Sequence, residues 1–133
     1  MKIIPIILCL DDERIILDSL RGELIRNFGS DYQYEFVESP NEALEIIEEL
    51  QENNDFVILV ITDWMMPEMK GDEFLIRIHQ KYPRIISIML TGQADPAAIE
   101  RAKTQANLYM CIAKPWSEKE LVDNIVNAVA SNQ

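Results

Sequence analysis

In VILVITDWMMPEMKG, residues 57–71, an apolar run from Val57 to Ile61 passes through Thr62 and stops on one acid, Asp63. A Met-Met-Pro loop follows at once and closes at Gly71. A run this rich in Val, Ile and Leu, without polar alternation, suits a strand buried on both faces, as in a parallel sheet covered by helices. Such a strand would hold Asp63 rigidly at the mouth of the sheet.

The pattern recurs along the chain. Further strands are predicted at 3–10, 34–37, 85–90 and 108–113, beside the central one at 56–62. Helix signals fill every gap. Ile16, Leu17, Leu20, Leu24 and Phe28 recur at helical spacing, and Gly29 supplies a stop. Ser39-Pro40-Asn41-Glu42 is a capping box with proline at the first helical position. A third helix is predicted from near Asp72 to Tyr82-Pro83, a fourth from Asp95-Pro96, and a fifth from the capping box Ser117-Glu118-Lys119-Glu120. Five β–α units in a row predict an α/β fold, a mainly parallel five-stranded sheet with helices on both faces. With no repeat, linker or low-complexity tract, one domain is expected over residues 1–133.

Bulk properties narrow the function. A net charge of −11 argues against nucleic-acid binding by this domain, because phosphate contacts need clustered Lys and Arg. Its opening MKIIPIILCLDDE is short, broken by Pro5 and ends in acids, so it reads as a strand and not a signal peptide. No run approaches the roughly 18 apolar residues of a membrane span. Cys9 and Cys111 lie in apolar runs and are expected to act as small buried hydrophobes. A cytoplasmic protein with no membrane association is the expectation. The methionines after Met1 are expected to fill core and loop gaps, and Trp64 and Trp116 to pack loops. His79 is expected as a solvated side chain on a charged helix face.

The chemistry gathers at the strand ends, where open α/β sheets bind ligands. The first strand ends in Asp11-Asp12-Glu13, the third in Asp63, the fourth in Thr91-Gly92 and the fifth in Lys114-Pro115. Clustered acids repel and raise one another's pKa unless compensated. Mg2+ resolves that conflict, since it takes oxygen ligands and is commonly held by one or two carboxylates plus phosphate oxygens. Metal, lysine and a threonine hydroxyl around one carboxylate form a cage that stabilises phosphoryl transfer. Asp63 can be the nucleophile, forming an acyl phosphate, and Met65 can offer its main-chain oxygen to the metal.

These motifs, DDE at 11–13, DWMMPEMKG at 63–71, LTG at 90–92 and AKPW at 113–116, resemble a response-regulator receiver domain of two-component signalling, like the chemotaxis regulators. The resemblance implies a flavodoxin-like (βα)5 fold with strand order 2-1-3-4-5. It implies Asp63 as phosphoacceptor, Asp12 as a direct Mg2+ ligand, Asp11 holding metal-bound water, Thr91 bonding the new phosphoryl group and Lys114 as its counter-charge. A cis Lys114-Pro115 bond is expected to help aim that lysine. The implied partners are a histidine kinase or phosphotransfer protein, met at Ile15 and Pro115, and a downstream protein or covalently attached output domain. Phosphorylation is expected to switch the loop after Thr91 and the surface formed by the fourth helix, fifth strand and fifth helix.

One departure touches the switch. Receivers usually carry an aromatic residue three before the lysine, where Cys111 stands here. Strand alternation would put Tyr109 on the face of Cys111, one side-chain repeat away. Arg14 and Lys70 also depart from the usual residues without touching the site chemistry.

Rival function classes fit less well. Aspartyl-nucleophile hydrolases typically carry a second acid two residues after the nucleophile, where this chain has Met65. A flavodoxin-like cofactor binder needs a Ser/Thr/Gly-rich loop where DDE would repel a phosphate. A degenerate receiver acting only as a scaffold is the nearest alternative. The reading carried forward is a phosphoacceptor that catalyses its own transfer and dephosphorylation but turns over no external substrate.

Overall fold

The computed structural model describes residues 3–93 and 95–131. Its elements alternate strictly: β1 (Ile6–Leu10), α1 (Arg14–Phe28), β2 (Gln33–Val37), α2 (Pro40–Glu52), β3 (Val57–Asp63), α3 (Gly71–Lys81), β4 (Ile86–Thr91), α4 (Pro96–Gln105), β5 (Leu108–Ala113) and α5 (Glu118–Ser131). All strand pairs are parallel, in the order β2-β1-β3-β4-β5. The expected fold class and strand order both stand.

Local chemistry sets the boundaries. Ser39 Oγ accepts from the Glu42 amide at 3.4 Å and Ser117 Oγ from the Glu120 amide at 3.1 Å, the forward halves of the two capping boxes. Asp95 Oδ1 accepts from the Ala97 amide and caps α4 ahead of Pro96. Gly29 ends α1 at φ 53°, a conformation that costs a side-chain-bearing residue energy. The first strand is shorter than expected, beginning at Ile6 instead of Ile3. Pro5 has no amide hydrogen to extend the ladder, and Ile3 is left 68% exposed. The third helix starts one residue early, at Gly71.

Side-chain alternation splits the core into two layers. Leu8, Leu10, Val60 and Met89 face α2, α3 and α4, whereas Ile7, Cys9, Ile61 and Ile88 face α1 and α5. Burial on both faces holds for β1, β3 and β4 but fails at the sheet edges. Tyr109 and Met110 of β5 are exposed, because no strand lies beyond it. Met65 is exposed too, so these two methionines do not fill gaps as expected, while Met66, Met69 and Met89 do.

Candidate functional site

Residues at or just past the carboxyl ends of β1, β3, β4 and β5 face one cleft. Asp11 follows β1 directly and is 1% exposed, with its Oδ1 accepting from the Glu13 amide at 2.8 Å. Asp63 ends β3 and pairs in register with Leu90, and its Oδ1 accepts from the Trp64 amide at 2.8 Å. Lys114 reaches in from the end of β5, placing Nζ 3.0 Å from Asp11 Oδ2 and 3.2 Å from Asp63 Oδ1. Carboxylate oxygens of Asp11, Asp12 and Asp63 all lie within 4.8 Å of one another. Asp12 is exposed and completes the rim.

The charges explain one another. Burial raises the Asp11 pKa above the ordinary carboxyl value, against the Glu13 amide and Lys114, which favour the anion. Desolvation pulls Lys114 down, yet its hydrogen bond to Asp11 and the charges of Asp11 and Asp63 outweigh it and hold the ammonium above its usual value. Two buried acids and a rim acid against one lysine leave negative charge in excess, which suits a hard divalent cation with oxygen ligands. A cavity of about 370 Å³ opens here, lined by Asp12, Asp63, Met65, Thr91 and Lys114 among others.

The loop that leaves Asp63 is fixed by close approach. The Gly71 amide donates to the Trp64 carbonyl at 2.8 Å, and a Cβ on Gly71 would stand 2.9 Å from Trp64 Cα and closer still to the Asp63 carbonyl. Thr91 is buried, and its Oγ1 accepts from the Gln93 amide at 3.1 Å, which leaves the hydroxyl hydrogen free to donate. The Lys114 amide donates to the Thr91 carbonyl, and the Lys114–Pro115 bond is cis, as expected.

Of the expected switch residues, Thr91 lines this cleft, whereas Cys111 and Tyr109 do not. Cys111 and Tyr109 line a neighbouring groove that shares Thr91, Gly92 and Gln93 with it. The β4–β5 register steps from Ser87↔Leu108 to Ile88↔Met110, so a bulge falls at Tyr109. Leu108 and Cys111 consequently pack against the same layer, three residues apart. Cys111 is half-buried, and burial raises its thiol above the ordinary value with Lys103 opposing, so it stays a neutral thiol. Ile15 is 72% exposed on α1, and exposed Pro115 borders a groove with Ile16, Ser19, Glu23 and Trp116.

Several side chains escaped the sequence reading. Asp72 is a buried acid whose Oδ1 accepts from Trp64 Nε1 at 2.9 Å and whose Oδ2 pairs with Arg101 at 3.0 Å. Its place in the first turn of α3 looks like any helix-start acid, so no local signal separates the two roles. Trp116 does pack its loop, donating to Glu23. His79 is half-buried near the C-terminus of α3, and its buried Nδ1 has no partner among the described residues, unlike the solvated side chain expected.

An acidic cluster and a lysine gathered beyond the carboxyl ends of a 2-1-3-4-5 sheet define a class: flavodoxin-like α/β domains with a charged site at the switch point. The chain belongs to the response regulator receiver domain family of two-component signalling, whose model matches residues 7–126. It is 30% identical over 123 residues to the hydrogenase transcriptional regulatory protein HoxA of Cupriavidus necator, covering 92% of this chain and 24% of that one. It thus spans about a quarter of the length of the two HoxA relatives it matches. Chemotaxis protein CheY1 of Helicobacter pylori is 32% identical over 117 residues, 86% of this chain and 92% of that protein. Among solved structures, the signal receiver domain of an HD domain-containing protein from Pseudomonas fluorescens superposes with a TM-score of 0.84 at 31% identity, over 96% of both chains. No helix among the described residues is long and apolar enough to cross a membrane.

Proposed function

We propose that residues 1–133 form one phosphoacceptor receiver, which takes a phosphoryl group from a histidine kinase or phosphotransfer protein onto Asp63 with Mg2+ bound. The observation that carries this reading is the bridging of two buried carboxylates, Asp11 and Asp63, by one Lys114 ammonium. Asp11, Asp12, Asp63 and the Met65 main-chain oxygen would hold the cation. It supplies electrostatic stabilisation of charge on the transferring group.

An Asp63 carboxylate oxygen attacks phosphorus, and the bond from phosphorus to the donor's imidazole nitrogen breaks, so the donor histidine leaves as the free base. Lys114 exchanges its contact with Asp63 for a phosphoryl oxygen, and the free Thr91 hydroxyl hydrogen donates to another. Attack of water on phosphorus later returns the carboxylate and releases phosphate. No external substrate is consumed. A scaffold without phosphotransfer would leave the bridged acids without a use, although burying them costs stability, and this favours the phosphoacceptor reading.

Exposed Ile15 and Pro115 suit kinase contact, and the exposed groove of Thr91, Tyr109 and Cys111 suits a downstream protein or attached output domain. The acidic charge fits a cytoplasmic signalling protein with no nucleic-acid role of its own. Ile15→Asp is expected to slow phosphotransfer from the kinase while sparing phosphorylation by acetyl phosphate; equal slowing of both sinks the contact assignment.

The reading is tested by intact mass after incubation with acetyl phosphate and Mg2+. One labile phosphoryl adduct is expected, absent in Asp63→Asn and after chelation. A folded, Mg2+-binding protein that acquires none contradicts it and favours the scaffold.

A further inference from the structure

α4 buries the smallest side chains of the five helices. Its buried residues are Ala98 and Ala102, whereas α1 buries Leu17, Leu20 and Leu24 and α3 buries Phe74, Leu75 and Ile78. Two methyl groups bury little apolar surface, so a polar contact carries an unusual share of the attachment of α4. That contact is the ion pair from Arg101 to Asp72, with Nε at 3.3 Å and Nη2 at 3.0 Å from Oδ2.

Asp72 is 5% exposed, and a buried carboxylate is tolerated only when its oxygens are satisfied. One oxygen takes Arg101 of α4, and the other takes the indole N–H of Trp64. Trp64 is the residue after Asp63, and its own amide donates to Asp63 Oδ1. The ring is further held by Lys70, whose Nζ lies 5.2 Å above it. An unbroken path therefore runs from the Asp63 carboxylate through the Trp64 amide, the Trp64 indole and the Asp72 carboxylate to Arg101.

We propose that Asp72 is a positioning residue that couples the state of the Asp63 loop to the placement of α4. This rests on the reading of Asp63 as phosphoacceptor. When that carboxylate becomes an acyl phosphate, its own charge is lost and negative charge sits instead on the phosphoryl oxygens, so the hydrogen bond that the carboxyl oxygen accepts from the Trp64 amide changes from charge-assisted to neutral, about half as strong. The indole shifts with its backbone, and Asp72 carries the change to the guanidinium. Cys111 offers no aromatic ring to do this from β5, and Asp72 supplies a route from the opposite side of α4.

The test is amide hydrogen exchange on the intact chain, with and without Mg2+ and beryllofluoride, a stable stand-in for the phosphoryl group. Wild type, Asp72→Asn, Arg101→Gln and Arg77→Gln are compared, the last being a charge control from the same α3–α4 groove. In wild type, loading is expected to change exchange in both the 63–71 loop and residues 96–105 by about fivefold or more. Asp72→Asn and Arg101→Gln keep the loop response and lose most of the α4 response, whereas Arg77→Gln behaves as wild type. Arg101 is half-exposed, so its variant keeps the experiment decisive should Asp72→Asn fold poorly. An α4 response in Arg101→Gln equal to wild type overturns the coupling, as does a wild-type loop response with none in α4. No response in the wild-type loop itself overturns the phosphoacceptor reading, and the coupling falls with it.

Discussion

α4 and α5 lie on opposite faces of the sheet beside the same edge strand, and they are held by different chemistry. α5 inserts Leu121, Ile125 and Ala128 into the layer it shares with α1. α4 inserts alanines and relies on the Arg101–Asp72 pair. Hydrophobic burial is insensitive to a charge gained or lost at Asp63, whereas a chain of hydrogen bonds is sensitive to it. The comparison assigns α5 to the rigid frame and α4 to the part that can respond.

The sharpest way to break that comparison is truncation. Ile125→Ala is expected to cost about 3 kcal/mol in denaturant unfolding, the usual range for a large-to-small change in a packed core. Ala102→Gly in α4 is expected to cost about 1 kcal/mol, chiefly in helix propensity. Equal costs would mean that α4 is anchored as firmly as α5.

Lys114→Ala acts at the other end of the comparison, where polar groups hold the frame. Removing the ammonium leaves Asp11 and Asp63 facing each other uncompensated, at a cost of about 2 kcal/mol after allowing for the partial exposure of the lysine. Mg2+ is then expected to raise the thermal midpoint of the variant more than that of wild type, because it replaces the missing charge. A smaller Mg2+ effect in the variant counts against the cation sharing this pocket.

The smallest effect concerns how α5 starts. Arg26 and Asn27 of α1 hydrogen-bond Glu118 and hold its carboxyl at about 2, below the ordinary 4.5. A depressed carboxyl stabilises the fold above its ordinary value and loses that contribution as the pH falls from 4.5 towards 2. Arg26→Ala should lower stability modestly at neutral pH and leave it nearly unchanged near pH 2, so that part of the acid limb of a stability–pH curve flattens. Arg26 is exposed and Glu118 partly so, so salt should erase most of the difference.

What could be read from the chain alone divides along the same line. Strands, helix caps and the four strand-end motifs follow from local patterns, so Asp11, Asp63, Thr91 and Lys114 could be found before any coordinates. Pro5 cutting β1 short was legible in principle, since the missing amide is a local fact. The exposure of Tyr109 and Met110 was not, because β5 reads like a central strand until the sheet order leaves it at an edge. The register step beside Tyr109 lies outside what a period-two pattern can show, since register depends on the partner strand. Asp72 and Arg101 are 29 residues apart with no periodicity linking them, and only the packing of α3 against α4 brings them together.

The most direct measurement of the central claim locates the adduct. After acetyl phosphate and Mg2+, borohydride reduces an aspartyl phosphate to homoserine, and peptide mapping reads which residue changed. Homoserine at position 63 alone is the result the account predicts. Homoserine at position 11 or 12, or a phosphoryl group that survives on a hydroxyl or imidazole, would contradict it.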